Sequence, residues 1–270
     1  MNENDYHSSP RIGRSGLQLI SITPRHYWAE YLDPNREWKT PSKALRLGSA
    51  LHTAVLEPDT FREKVVIEPT NWPTKKECGV SIEDQKIAFQ RVNRKKTVIS
   101  AEDSELIKNM YNAIFEHPIA PGFIEGNGFV EKAILFDHPE TGSPSKIKPD
   151  KYNEDSDIIV DLKTTEDASP EGFAKSCVNY WYHVQSAWYL DGFFYAHGHM
   201  PRAFVFVVVE KTRPFNVAVY YAPPDMIELG RSIYLKHLRT YEKCRQANYW
   251  PGYSENLEPI NLPTWAFRNQ

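Results

Sequence analysis

Apolar residues recur at helical spacing through much of the first hundred positions. From Ser15 the segment SGLQLISITPRHYWAEYL carries them as far as Leu32. A break is expected near Pro24, because proline removes a backbone donor. Between Lys43 and Pro58, Leu47, Ala50, Leu51, Ala54 and Val55 fall on one helical face, and Pro58 ends the run. The stretch SIEDQKIAFQRVNRKKTVIS that follows is charged and mixed. A cleaner helix then begins at Ser100, a good cap, with Asp103 in an acidic first turn. Its apolar stripe is Leu106, Ile107, Met110, Ile114 and Phe115, and Pro118 closes it.

From residue 128 the period shortens. GFVEKAILF, SKIKPDKYN and DIIVDLKTT read as three strands bounded by turn residues. HPETGSPS between the first two, and NEDS between the next two, read as hairpin connections. A long helix is predicted over roughly Pro170 to Ala196. Ala203 to Glu210 is almost wholly apolar, as expected of a strand buried on both faces. FNVAVYYA reads as another strand and PDMIELGRSIYLKHLRTYEKCRQ as a last helix. The order predicts an α/β fold: a central mixed β-sheet flanked by helices, with an N-terminal helical segment. One domain is expected over 1–270, with 1–99 mainly helical and 100–270 forming the core and C-terminal tail.

Composition narrows the picture. Of 270 residues, 41% are hydrophobic and 25% charged, as in ordinary globular proteins. No apolar run reaches the length of a membrane span, and the N-terminus is polar, so a cytoplasmic protein with no membrane partner is expected. Cys78, Cys177 and Cys244 are scattered without CxxC spacing, which predicts reduced cysteines in or near the core. The net charge of −3 argues against passive coating of nucleic acid, so any such contact must be local.

Two neighbouring strand runs carry the candidate chemistry. Asp161 and Lys163 are two apart on one strand and so share a face, while Leu162 points into the core. They are expected near the strand's exit, at the edge of the sheet. The hairpin brings Asp150 beside Asp161. Two adjacent carboxylates repel unless a cation bridges them, and Mg²⁺ fits such a site. A lysine beside them can neutralise a phosphate oxygen or orient an attacking water. Metal, water and lysine together are suited to phosphodiester hydrolysis. Glu131, placed on the preceding strand, adds a third acid.

The flanking helices supply further candidates. Gly48 and His52 are four apart on one helical face; the glycine would allow close backbone approach, and His52 could offer a neutral nitrogen to a metal. Glu57 lies off that face. Gln185 and Tyr189 share another face and could hold phosphates or fix the lysine. Arg91, Arg94, Lys95 and Lys96 read as a solvated helix end, or as phosphate contacts in a DNA channel.

Taken together, these residues resemble the C-terminal nuclease domain of exodeoxyribonuclease VIII (the RecE family) and its phage relatives. The resemblance runs through DYHSSPRIGRSGLQLISITPRHYWAEYL, LGSALHTAVLEPDTF, KIKPDKY, DLKTTEDASPEGFAKS, YWYHVQSAWYLDGF and NYWPGYSENLEPINLPTW. The elements G-x-x-x-H, K-P-D, D-x-K and Q-x-x-x-Y follow the order seen in RecB-like nucleases. Leu47 departs from the aromatic common before that glycine.

The resemblance implies a PD-(D/E)XK nuclease fold and an exodeoxyribonuclease dependent on Mg²⁺, with Mn²⁺ able to substitute. It would digest linear double-stranded DNA 5′→3′ and leave 3′ single-stranded tails for recombination by annealing. His52, Glu131, Asp150 and Asp161 would hold metal, Lys163 would act at the water or scissile phosphate, and Gln185 and Tyr189 would support the site. A single-strand annealing recombinase would be the partner, and the protein a homo-oligomeric ring, a tetramer, with Tyr249, Trp250, Tyr253 and Trp265 of the tail as candidates for part of its contacts. Two other readings stay open: a structure-specific or restriction-type endonuclease on the same fold, which would cut closed circles, and a catalytically silent DNA-binding subunit.

Overall fold

The structure is a computed structural model that describes Tyr6 and residues 9–36 and 40–267. Nine strands are described: β1 Val65–Ile67, β2 Thr97–Ile99, β3 Gly128–Val130, β4 Ile134–Asp137, β5 Pro144–Ile147, β6 Lys151–Asn153, β7 Ile158–Thr165, β8 Ala203–Glu210 and β9 Val217–Tyr221. The longer helices are α1 Arg14–Ile22, α2 Lys43–Leu56, α3 Ile82–Val92, α4 Ala101–Glu116, α5 Pro170–Asn179, α6 Tyr182–His197 and α7 Pro224–Ala247. The central sheet has the order β3-β6-β7-β8-β9; β7 and β8 are parallel and the other pairs antiparallel. It is therefore the mixed sheet, flanked by helices, that the pattern predicts.

Alternation along β7 and β8 sorts two cores. Ile159, Phe204, Phe206 and Val208 face one layer, which includes α1, α5, α6 and α7. Ile158, Val160, Leu162, Val205, Val207 and Val209 face α2 and α4. Each such side chain, once buried, stabilises the fold by roughly 1.5–3 kcal/mol. In α6, ten residues from His183 to Phe193 are buried, because the helix lies between the sheet and α7. The close approach of α6 and α7 depends on Gly230: a Cβ there would stand 2.0 Å from the His183 carbonyl oxygen. Gly230→Ala is expected to cost on the order of 3 kcal/mol through overpacking. Urea denaturation would read this as a lower midpoint; an unchanged midpoint would mean that the two helices can part without cost.

Several expectations need correction. The runs 128–136 and 145–153 are not continuous strands. Each splits, β3 and β6 joining the central sheet while β4 and β5 pair as a separate hairpin. Glu131 lies in the first break, in a left-handed conformation with φ of 50°. Asp150 lies in the second. The long helix over 170–196 is two helices, α5 and α6, parted at Trp181, which also has a positive φ of 62°. The break expected near Pro24 is present: the first helical segment ends at Thr23 and continues from Pro24 through a short helix and a π turn to Leu32.

The mixed segment of 81–100 yields α3 and β2, and β2 pairs with β1 in parallel. The helices at Lys43 and Ser100 begin as expected, each capped by a serine side chain accepting from the backbone. β7 is the central strand, not an edge, and runs two residues past Lys163. Cys177 and Cys244 are buried, whereas Cys78 is exposed. Among the described residues no helix is long and apolar enough to cross a membrane.

Candidate metal centre and cleft

The two strand breaks create the site. β6 pairs with β7 as far as Lys151 opposite Val160, and then stops. The backbone of Leu162, two residues further along β7, faces the vacated ladder position. Buried backbone groups need partners. Two side chains supply them: Asp150 Oδ2 accepts the Leu162 N–H at 2.9 Å, and His52 Nε2 lies 2.8 Å from the Leu162 carbonyl oxygen. The breaks are also tied together, since the Glu131 N–H donates to the Asp150 carbonyl at 3.0 Å. Holding Glu131 left-handed costs of order 1–3 kcal/mol, a strain tolerated chiefly where surrounding structure fixes a functional geometry.

The Leu162 contact sets the His52 tautomer. Nε2 donates to the carbonyl, so Nδ1 is the nitrogen that gains a lone pair when the ring is neutral, and it faces the acids, 3.5 Å from Asp150 Oδ2 and 3.7 Å from Glu131 Oε1. One ligand atom each from His52, Glu131 and Asp150 lies within 4.8 Å of the others. Lys148, on the other side of Glu131, approaches its Oε2 at 2.5 Å.

The electrostatics of this centre favour a cation. Burial pushes the Asp150 carboxyl up, and Asp161 and Glu131 push it further against the pull of His52 and Lys163, to about 7. Burial opposes charge on His52, but Asp150 and Glu131 outweigh it and raise the imidazole to about 9. Without an ion, the cluster keeps a proton where a cation would sit. Two carboxylates and one imidazole nitrogen fit a divalent ion: the oxygens suit Mg²⁺, and the nitrogen is taken more readily by a transition-series ion such as Mn²⁺.

The structure also places the other residues expected at the site. Asp161 is buried at 1% exposure on the face of β7 toward α6. Gln185 Nε2 donates to its Oδ1 at 2.5 Å, and Lys163 Nζ stands 2.5 Å from its Oδ2. Asp161 is thus engaged by two side chains and stands outside the three-residue group, though its charge reaches Asp150. Lys163 faces the cleft. Burial would lower its pKa, but Asp161 and Asp150 raise it overall, so it remains a cation. Tyr189 lines the cleft and packs edge-on against Phe204. Gly48 has open space around a Cβ, contrary to the close approach expected there. Glu57 pairs with Lys64 at 2.6 Å on the cleft wall. Arg91, Arg94, Lys95 and Lys96 are exposed and do not line the cleft.

Two residues escaped the sequence reading. Lys148 braces Glu131, and Tyr182 places its ring 4.6 Å from Lys163 Nζ. The K-x-K-P-D spacing could have pointed to Lys148, two residues before Asp150. Nothing local marks Tyr182, whose role arises from the turn at Trp181.

The cleft above the centre has a volume of about 770 Å³. Its lining includes six cationic side chains, Arg11, Arg14, Lys64, Lys146, Lys148 and Lys163, against three carboxylates, Glu57, Glu131 and Asp150. An acidic chain thus concentrates positive charge in one concavity, which favours an anionic ligand.

A mixed sheet with acids at two strand breaks and an Asp–x–Lys pair on the adjoining strand fits the PD-(D/E)XK class. Residues 13–263 match the model of the family described as a PDDEXK-like domain of unknown function (DUF3799), and the chain belongs to that family. The crystal structure of a "Putative exonuclease" from Eubacterium rectale is similar over 99% of this chain and 97% of its own, with a TM-score of 0.67 at 13% identity. That likeness establishes the shared fold. The structure of SSO0001 aligns over 70% of this chain and 85% of its own at 12% identity, with a TM-score of only 0.27. No curated protein matches the chain.

Proposed function

We propose that the protein is a metal-dependent exodeoxyribonuclease acting on linear double-stranded DNA in the 5′→3′ direction. The observation that carries this reading is Lys163, held cationic in a positively lined cleft beside the His52–Glu131–Asp150 centre. The family, and the fold shared with the "Putative exonuclease" structure, support it. His52, Glu131 and Asp150 would hold Mg²⁺ or Mn²⁺, with Asp161 adjoining. When bound, the ion supplies Lewis-acid stabilisation of phosphate charge and a more acidic water.

The chain's own residues then have separable tasks. Lys163, being protonated, neutralises a phosphate oxygen or orients the attacking water; it does not act as the base. Asp161 and Tyr182 hold its Nζ in place, and Gln185 fixes Asp161. Arg14 and Lys146 offer positive charge further along the cleft, while Lys148 braces Glu131. The 3′ tails left behind would serve an annealing recombinase, and a ring of copies, a tetramer by the resemblance, would keep the enzyme on its DNA.

The test uses linear duplex labelled at either end and a covalently closed circle, each incubated with Mg²⁺. Linear DNA should lose 5′ label first and leave single strands, while the circle stays intact. Cutting of the circle would replace this reading with an endonuclease, and early loss of 3′ label would reverse the polarity.

A further inference from the structure

Four of the six cations that line the cleft already have an acid partner: Arg11 with Asp137, Lys64 with Glu57, Lys148 with Glu131 and Lys163 with Asp161. Among the described residues, Arg14 and Lys146 pair only with neutral groups. Arg14 donates to the Gln18 side chain at 2.8 Å and to the Tyr180 carbonyl at 3.5 Å. Lys146 is 6% exposed, and its Nζ donates to the main-chain carbonyls of Tyr6, at 2.5 Å, and Ser9, at 3.1 Å. Burial lowers its pKa, with no acid to offset the effect. A buried ammonium held by carbonyls alone lacks the anion that would stabilise it most.

The carbonyls belong to the chain's own N-terminal segment. That segment is anchored at Ile12, whose N–H donates to the Pro144 carbonyl and whose carbonyl accepts from the Lys146 N–H, both at 2.9 Å. The Tyr6 ring lines the cleft, 4.6 Å from the Lys146 ammonium and 5.8 Å from that of Lys148. Burial raises the pKa of its hydroxyl, Tyr31 and Glu131 raise it further, and Arg14 lowers it, so the tip of the ring lies among the polar groups of the centre. Another lining ring, Tyr27, is fixed by Trp250, which is buried and stacked on it at 5.2 Å. Trp250 therefore serves its own core; the side chain of Trp265 lies outside the described residues. Tyr6, by contrast, is tied through its carbonyl and its ring to a lysine that a phosphate would claim.

Tyr6 offers the cleft what a nucleotide offers, an oxygen on a lysine and a flat aromatic face beside it. The two differ in charge. A carbonyl oxygen carries a partial charge and a phosphate oxygen a full one, and the full charge attracts an ammonium more strongly. We propose that Tyr6 stands in for a nucleotide of the substrate at Lys146 in the empty cleft, and that DNA binds by displacing it. This rests on the reading of the cleft as a DNA site. It makes Tyr6 a built-in competitor, because apparent affinity falls with the fraction of molecules in which the cleft is open.

Anisotropy of a labelled linear duplex in Ca²⁺, which should leave the DNA uncut, reads the competition in the full chain. Tyr6→Ala should bind about tenfold tighter than the unaltered protein, as for a stand-in seated in about nine molecules of ten. In the Lys146→Met background, where the latch is gone, adding Tyr6→Ala should change nothing. Chymotrypsin gives a second reading that needs no lysine variant: DNA should speed cleavage of the bond after Tyr6, followed by mass spectrometry. Weaker binding by Tyr6→Ala would make the ring a platform for the substrate and overturn the proposal. Unchanged binding, equal tightening in both backgrounds, or protection of the Tyr6 bond by DNA would overturn it too. If no form of the chain binds the duplex, the reading of the cleft as a DNA site fails, and the stand-in with it.

Discussion

Lys163→Ala is expected to lower DNA cleavage by about a thousandfold, the equivalent of about 4 kcal/mol of transition-state stabilisation. The lysine is the cation that stands nearest Asp161 and faces the cleft. Its removal has a second consequence. Asp161, at 1% exposure, would keep only Gln185 as a partner, and an uncompensated buried charge costs roughly 3–5 kcal/mol. Stability must therefore be measured beside activity. Asp161→Asn with Lys163→Met removes both charges and should recover most of the melting temperature without recovering cleavage. If Lys163→Ala cleaves at near-normal rate while folded, the lysine has no part in the chemistry.

The second large effect concerns the acids. Asp150→Asn should abolish cleavage and, independently, the rise in melting temperature that Mg²⁺ or Mn²⁺ gives the unaltered protein; binding to the folded state alone stabilises it. Ca²⁺ should raise the melting temperature of the unaltered protein without supporting cleavage, since its looser coordination activates water poorly. The pH dependence follows from His52. Its pKa of about 9 means that the metal-free centre is protonated at neutral pH, and metal binding must release that proton. Apparent metal affinity should thus tighten as pH rises from 7 toward 9 and level off above it. Thermal shift with calorimetry across that range would check this. Cleavage that persists in excess chelator would remove the metal from the reaction, and an unchanged metal response in Asp150→Asn would remove Asp150 from the centre.

Much of this arrangement was legible in the chain. Alternation placed Asp161 and Lys163 on one face of a strand, and the hairpin at NEDS put Asp150 beside it. The helix cap at Ser100 and the all-apolar β8 are written in local pattern. What pattern could not supply was the interruptions. A hydrophobic period reads straight through one left-handed residue, so Glu131 and Trp181 were absorbed into longer elements. Yet those two positions release Glu131 toward the metal group and turn Tyr182 onto Lys163. The engagement of Asp161 by Gln185 likewise depends on how α6 crosses the sheet, a tertiary fact with no local signal.

Leu162 is an apolar residue whose side chain lies in the core, yet both halves of its main chain are held by the acid and the imidazole of the centre. Its peptide group is a junction between scaffold and chemistry. Any ligand that draws Asp150 or His52 aside withdraws a partner from the middle strand of the sheet. An ion or substrate that shifted either side chain would thereby loosen the hold on that strand, linking occupancy of the cleft to the rigidity of the sheet.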